Sequence, residues 1–213
     1  MNNTLIDNSI EALSMTATLR KCLDIDGIQT VSIATGYWDI PGLAILQKSL
    51  RSFIEKDGTT LRLLIGKDPY IYANQLKSPK YKDSNYPLDF IKTDIHELNV
   101  TEEYKDAIRL LLDYCSKSND SKIQIRVFRK NANDETQFLH SKCYIFDGKQ
   151  NGIGIGIVGS TNFTQKGLQG NAELNYIETA PNQVLSLDAI PGNKSHLLWF
   201  NEKWEISEPW NEQ

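Results

Sequence analysis

Residues 30–66 constrain the fold of this 213-residue chain more than any other stretch. A β-rich run over 30–35 opens the stretch, and a second over 60–66 closes it. Between them, Asp39 can cap a helix that has Pro41 in its first turn. A strand, a helix and a strand joined by short connections predict a parallel strand pair in a layered α/β fold.

The rest of the chain alternates between helical and β patterns. Helical spacing predicts helices over 5–24, 101–117 and 193–204, and period-two patterns predict strands over 122–128, 138–146, 152–158 and 173–179. The 101–117 helix would have Leu112 on its apolar side. Turn signals between Asp147 and Gly152 predict an enlarged hairpin loop. We expect a single domain over 1–213, with an irregular insert at about 67–98 that is rich in Tyr, Lys and Pro.

One segment in the second half of the chain carries the chemistry. His140 and Lys142 are two residues apart, so on an extended strand both side chains leave the same face. Gly159, Ser160 and Asn162 follow after a short apolar segment and add small hydrogen-bonding groups. These groups suit a phosphate, because the cation and the amide can hold its oxygens while the imidazole attacks phosphorus.

This pattern resembles the phospholipase D superfamily, whose signature is His-x-Lys-x4-Asp followed by Gly-Ser-x-Asn. The matching residues in this chain are His140, Lys142, Asp147, Gly159, Ser160 and Asn162. The gap from Asp147 to Gly159 is longer than is usual in the family, and the Asp of the motif has a structural or supporting role there. Bacterial nucleases of the family also carry a Glu at about the position of Glu173, where it orients the catalytic His.

The resemblance implies an α/β fold with a mixed sheet sandwiched between helices, and together with the strand–helix–strand pattern at 30–66 we expect this sheet to be largely parallel. It also implies a metal-independent phosphodiesterase that acts as a nuclease and needs no cofactor. His140 of one subunit would attack phosphorus and form a phosphohistidine, and His140 of the other would protonate the leaving oxygen and then activate water. Lys142 and Asn162, with Ser160 assisting, would neutralise the phosphate oxygens, and Glu173 would fix the imidazole.

A single copy of the motif bears on the oligomeric state. Active sites of the superfamily use two copies, from two halves of a long chain or from two subunits, so one copy implies a homodimer. Gly154 and Gly156 lie on one face of the strand predicted over 152–158, and a glycine face admits a neighbour at close range. We therefore expect this face at the dimer contact.

The charge distribution indicates the substrate. The net charge of −4 argues mildly against a generic DNA-coating protein. However, residues 121–170 contain 7 Lys/Arg and 3 Asp/Glu, while the segments on either side are net negative. The basic segment carries the motif, so we expect nucleic acid as the partner, DNA ahead of RNA, with Arg126, Arg129 and Lys130 lining its approach.

Composition and termini predict a cytoplasmic protein with no membrane partner. No apolar run approaches the ~18 residues of a membrane span. The N-terminus lacks a signal-peptide pattern, and three widely spaced cysteines indicate reduced thiols.

Two alternative functions stay open. One is a non-hydrolytic nucleic-acid-binding or dimerisation module of a larger helicase or restriction protein, since bacterial proteins of those kinds carry such domains at the N-terminus. The other is a phospholipid hydrolase.

Overall fold

The computed structural model describes residues 5–66, 101–115, 121–128, 138–186 and 194–209. The strands are β1 Leu5–Asp7, β2 Thr30–Thr35, β3 Thr60–Ile65, β4 Ile123–Val127, β5 Cys143–Asp147, β6 Gly154–Gly159, β7 Leu174–Glu178 and β8 Glu208–Pro209. The α-helices are α1 Met15–Leu23, α2 Ile40–Ile54, α3 Glu102–Tyr114, α4 Pro181–Leu185 and α5 His196–Glu205. The predicted insert at 67–98 lies outside the described residues. Within these ranges, no helix has the length and apolar character needed to span a membrane.

The first two helices begin where a polar side chain caps them. Asp39 accepts a hydrogen bond from the Gly42 N–H (2.6 Å), which confirms the predicted start of α2. Ser14 caps α1, so the prediction of a helix from residue 5 is wrong at its N-terminal part. Leu5–Asp7 instead pairs antiparallel with β7, because its backbone groups find their partners across the sheet rather than along a helix.

The strands form one mixed sheet in the order β1-β7-β6-β5-β2-β3-β4-β8. Among the described strands, β2–β3 and β3–β4 pair in parallel, and the five other pairs are antiparallel. The α/β class with a mixed sheet between helices is confirmed, but the prediction that the sheet is largely parallel is wrong. The parallel pairs arise where α2 and α3 cross over, whereas a 3₁₀ turn at Lys149–Asn151 returns the chain directly from β5 to an antiparallel β6.

Each face of the sheet packs against its own helices. Val31 and Phe146 point into a core shared with α1, α2 and α3. On the opposite face, Ile145 packs in a second core with Phe200 and Trp204 of α5. Fully burying one such side chain contributes roughly 1.5–3 kcal/mol, so the alternating strand pattern stabilises both layers.

The structure corrects two predictions about which surfaces are covered. A Cβ atom at Gly154 would lie 2.8 Å from the Leu185 side chain, and one at Gly156 would overlap the imidazole of His196. The glycine face is therefore occupied by the chain's own α4 and α5, not by a partner subunit. Leu112 is 67% exposed, because the buried side of α3 is centred on other residues, among them Leu110.

Candidate active site

The motif residues meet at one edge of the sheet. His140 and Lys142 precede β5, Ser160 and Asn162 follow β6, and Glu173 precedes β7. Because β5 pairs antiparallel with β6, and β6 with β7, these three positions lie at the same edge. The predicted strand over 138–146 is shorter than expected and begins at Cys143, so the His and the Lys lie on the approach to the strand rather than within it.

Lys142 is held at the centre of this edge. Its side chain is only 7% exposed, and its Nζ donates a hydrogen bond to the backbone carbonyl of His140 (2.7 Å). Burial lowers the pKa of the Lys142 ammonium, and the carboxylate of Glu173 acts in the opposite direction. A fixed, partly desolvated cation interacts more strongly with an incoming phosphate than a solvated one does.

Glu173 contacts a different partner from the one expected. Its carboxylate accepts hydrogen bonds from the Ser160 hydroxyl and from the Asn171 amide (3.1 Å). The Ser160 oxygen also accepts the Leu174 N–H at 3.1 Å. Within the described residues, Glu173 makes no hydrogen bond to His140, so the contact that the resemblance implied does not form inside one chain. Here Glu173 orients Ser160 and faces Lys142.

The side chain of Asn162 is oriented by the segment that follows β2. Its Oδ1 accepts the backbone N–H of Tyr37 at 3.1 Å, which leaves the Nδ2 amide group to donate elsewhere. Thr35 fixes the same corner, because its hydroxyl donates to the Tyr37 carbonyl (2.6 Å) and accepts the Phe163 N–H (3.0 Å). An amide donor is thus held beside the Lys142–His140 segment.

The residue between Ser160 and Asn162 is fixed by three hydrogen bonds. The N–H of Thr161 donates to Asn175 Oδ1 (3.2 Å), and the Asn175 amide donates to the Thr161 hydroxyl (2.8 Å). The hydroxyl of Tyr144 donates to the Thr161 carbonyl at 2.9 Å. Thr161, Asn175 and Tyr144 are all buried, so the loop after β6 has a single well-defined position.

Two glycines allow the His140 segment to lie across the sheet edge. A Cβ atom at Gly36 would lie 3.2 Å from the Leu139 carbonyl oxygen and 3.4 Å from both the His140 ring and Asn162 Oδ1. A Cβ atom at Gly66 would overlap the same Leu139 oxygen. The residues that follow the parallel strands β2 and β3 therefore pack against the Phe138–His140 segment, and Gly36 lies beside the exposed imidazole of His140.

Other predicted site residues lie away from this edge. Asp147 is at the opposite end of β5, about 16 Å from Lys142 at the usual rise per residue, and accepts the Lys149 N–H in the hairpin turn (2.6 Å). Gly159, by contrast, lies at this edge, where it ends β6 directly before Ser160 and pairs with Asn175. Arg126 donates to the Trp204 carbonyl (2.7 Å) and lies over the Trp204 ring, so its guanidinium contacts α5.

Some candidates fall outside what the structure describes, and some were missed. Arg129 and Lys130 lie outside the described residues.

Gly36, Tyr37 and Asn175 were not identified as site residues from the sequence. The first two directly follow a predicted parallel strand, where sites of α/β proteins commonly lie. No group of three His, Cys, Asp or Glu side chains in the described ranges could hold a metal ion.

The family follows from a match that spans most of the chain. The profile of the family described as "Cardiolipin synthase, PLD-like domain" matches residues 26–190, which include the whole candidate site. This chain belongs to the family of phospholipase D-like domains. No protein of curated function matches the phospholipase D-like chain in sequence at a significant level.

Solved structures share the fold of this phospholipase D-like chain. NucT from Helicobacter pylori is 14% identical with a TM-score of 0.52, and the match covers 98% of each chain. Nuc from Salmonella typhimurium, a phospholipase D family member, is 14% identical with a TM-score of 0.54, and the match covers 99% of each chain. The architecture described above is therefore that of phospholipase D-family proteins along nearly its full length.

Proposed function

We propose that the chain is a metal-independent phosphodiesterase that cleaves nucleic acid, DNA ahead of RNA, through a covalent intermediate on His140. The observation that carries the proposal is the convergence of an exposed imidazole, a buried ammonium and an oriented amide at one sheet edge. The imidazole is the nucleophile, and the Lys142 ammonium and the Asn162 amide neutralise the phosphate oxygens.

The reaction proceeds in two displacements. A ring nitrogen of His140 attacks phosphorus, a P–N bond forms, and the bond from phosphorus to the leaving oxygen breaks. The leaving oxygen takes a proton from the protonated His140 of a second subunit. That imidazole, now neutral, removes a proton from water, and the resulting hydroxide attacks phosphorus and breaks the P–N bond. The products are a phosphate monoester and an alcohol.

This mechanism needs a second copy of His140, and the chain has one motif. We propose a homodimer whose contact includes the exposed side of β7 and β1. Leu5, Leu174 and Tyr176 are 56%, 57% and 39% exposed. Leu5 pairs with Tyr176, and Leu174 lies two residues away, so the three side chains share one face of the sheet. That face begins directly after Glu173, so a second copy seated there lies next to the site.

The charge distribution supports nucleic acid as the substrate. The motif lies in the net-positive segment 121–170, although the chain as a whole is acidic.

The three cysteines form no disulfide, which supports the cytoplasm as the location. Phospholipid hydrolysis is the main alternative function, because the description of the matching family names cardiolipin synthase, an enzyme of phospholipid chemistry. A non-hydrolytic module of a larger protein is the second alternative.

Cleavage of a labelled oligonucleotide in excess EDTA tests the proposal. We expect cleavage to persist in EDTA, to disappear in His140→Ala, and to fall roughly 10²–10³-fold in Lys142→Ala, by analogy with the loss of an oxyanion donor. Lys149→Ala is the matched control, since Lys149 is an exposed lysine in the hairpin at the far end of the same strand. Dependence on added metal, or hydrolysis of anionic phospholipid vesicles without oligonucleotide cleavage, would overturn the proposal.

A further inference from the structure

Two aromatic side chains flank the exposed imidazole of His140. The ring of Tyr37 lies 6.3 Å from the His140 ring in an edge-on arrangement, and the ring of Phe138 lies 5.6 Å from it. The Tyr37 and Phe138 rings are 5.8 Å apart. We call Tyr37 and Phe138 the aromatic wall. Both side chains are half-buried, so each retains exposed surface beside the candidate nucleophile.

The strand order places the aromatic wall on one side of the phosphate-binding groups only. Ser160, Lys142 and Glu173 lie at the edge formed by β5, β6 and β7. Tyr37 follows β2, and the Phe138 ring lies against Gly66 at the end of β3. A diester whose phosphate lies between Lys142 and His140 therefore extends over the aromatic wall in one direction along the sheet edge.

We propose that the aromatic wall binds a nucleobase adjacent to the scissile phosphate, so that the substrate is a nucleotide chain whose base at this position is unpaired. The inference rests on the proposed phosphodiesterase function and specifies its substrate. Every base offers a flat π face that stacks on aromatic rings, and stacking requires no particular base identity. A base inside a duplex is already stacked and paired, so the wall selects single-stranded or frayed nucleic acid.

The backbone of Tyr37 is fixed by two hydrogen bonds, and the Phe138–His140 segment packs against the residues that follow β2 and β3. The Tyr37 N–H holds Asn162 Oδ1, and the Tyr37 carbonyl accepts the Thr35 hydroxyl. Gly36 and Gly66 allow the Phe138–His140 segment to approach the strand ends closely. The rings and the phosphate-binding amide therefore belong to one rigid unit, and a base stacked on the wall positions its own phosphate at His140.

Binding by the inactive His140→Ala protein tests the inference separately from catalysis. The probes are a fluorescently labelled thymidine tetranucleotide and the same backbone with abasic tetrahydrofuran residues, which carry identical charge. We expect the thymidine probe to bind roughly 5- to 150-fold more tightly, the range measured for stacking on one aromatic side chain. Tyr37→Leu and Phe138→Leu should reduce this ratio towards one, whereas Tyr37→Phe, which keeps the ring, should preserve it.

Cleavage by the active protein forms the second arm of the experiment. Equal binding of the two probes, or a ratio that survives the double variant Tyr37→Leu/Phe138→Leu, would overturn the base-binding inference even if both probes are cleaved. Failure to cleave either probe, with the binding ratio intact, would instead refute the proposed hydrolysis and leave the aromatic wall as a nucleic-acid-binding surface. The two failures are therefore distinguishable.

Discussion

Asn175 holds Thr161 through a pair of hydrogen bonds, accepting its backbone N–H at 3.2 Å and donating to its hydroxyl at 2.8 Å. Thr161 lies between Ser160 and Asn162, two residues that we propose contact the substrate phosphate. Asn175 lies on β7, so the position of the loop after β6 is fixed from the neighbouring strand. The two buried residues contact each other and not the solvent-facing site, so they act as positioning residues.

Thr161→Val tests this positioning role. Valine keeps the size of threonine but leaves the buried Asn175 amide without its acceptor, which costs roughly 1–3 kcal/mol of unfolding free energy. We also expect kcat to fall by up to about 10²-fold with KM little changed, since misplacement by about 1 Å suffices for such a loss. Steady-state kinetics and thermal unfolding measure the two effects.

Thr161→Ser is the control, because serine retains the hydroxyl that Asn175 binds. It should recover most of kcat even if some stability is lost with the methyl group. A Val variant with the kcat of the wild type would contradict the role given to Thr161.

Glu173→Gln tests the coupling of Glu173 to Lys142. Burial lowers the pKa of the Lys142 ammonium below the usual value, and Glu173 raises it. The ammonium is the form that binds phosphate, so activity falls on the alkaline side as Lys142 loses its proton. Removing the negative charge lowers the pKa further, and we expect the alkaline limb of kcat/KM to move to lower pH. A pH profile from 7 to 11 checks this.

Glu178→Gln removes a carboxylate at the other end of β7, further from Lys142, and should leave the alkaline limb in place. A limb that stays fixed in Glu173→Gln, or moves to higher pH, would contradict the coupling.

Arg126 should contribute to stability and not to the salt dependence of binding. Its guanidinium donates to the Trp204 carbonyl and lies 5.0 Å from the Trp204 ring centroid. We expect Arg126→Gln to reduce the unfolding free energy by roughly 1–3 kcal/mol and to leave the salt slope of oligonucleotide binding unchanged. Lys142→Met, the comparison variant, should reduce that slope by about one. A flattened slope in Arg126→Gln would restore the original interpretation of Arg126 as a phosphate contact.

Local sequence signals predicted the elements that depend on local chemistry. The cap at Asp39, the βαβ unit and the enlarged turn after Asp147 were all confirmed, because capping and turn preferences act over a few residues. The prediction that His140 and Lys142 share one face of a strand did not anticipate that both residues lie before β5. The largely parallel sheet was wrong, because a local pattern does not specify which strands pair.

The remaining site contacts join residues far apart in the chain. Tyr37 binds Asn162 across 125 positions, and no periodicity links them. The carboxylate of Glu173 binds Ser160, a partner that depends on how β6 and β7 are registered. Arg126 gives a similar example, since its charge was visible in the sequence but its contact with the Trp204 carbonyl was not.

His196 should make stability depend on pH. Its Nδ1 is buried with no hydrogen-bond partner in the described structure, and burial lowers the pKa of the ring below its ordinary value, which Glu178 partly offsets. The unfolded chain therefore binds a proton at His196 at a higher pH than the folded chain does. The unfolding free energy should be highest above the unfolded pKa of about 6.5, and should fall as the pH drops towards the folded pKa. Denaturant unfolding between pH 8 and 5 measures this slope.

His196→Leu should flatten that slope, because it removes the titrating group from the glycine face of β6. His140→Leu, which alters an exposed histidine, is the control and should retain the slope of the wild type. Equal slopes in the wild type and His196→Leu would assign the pH dependence to other groups.

The dimer proposal predicts that charge on the exposed face of β7 and β1 separates the subunits. Leu174→Glu and Tyr176→Glu each place a carboxylate on this face, where a second copy would bury it without a partner. We expect light scattering at micromolar concentration to show a shift from dimer to monomer. Specific activity should fall with the loss of the dimer, because one subunit supplies only one His140.

A mixing experiment tests the shared site independently. Mixing an inactive His140→Ala protein with the wild type should also lower the activity per wild-type subunit as mixed dimers form. Leu112→Glu is the matched control, since Leu112 is an even more exposed leucine (67%) on α3, which packs on the opposite face of the sheet. It should leave both mass and activity unchanged. A fully active monomer, either in the wild type or in Leu174→Glu, would refute the shared site.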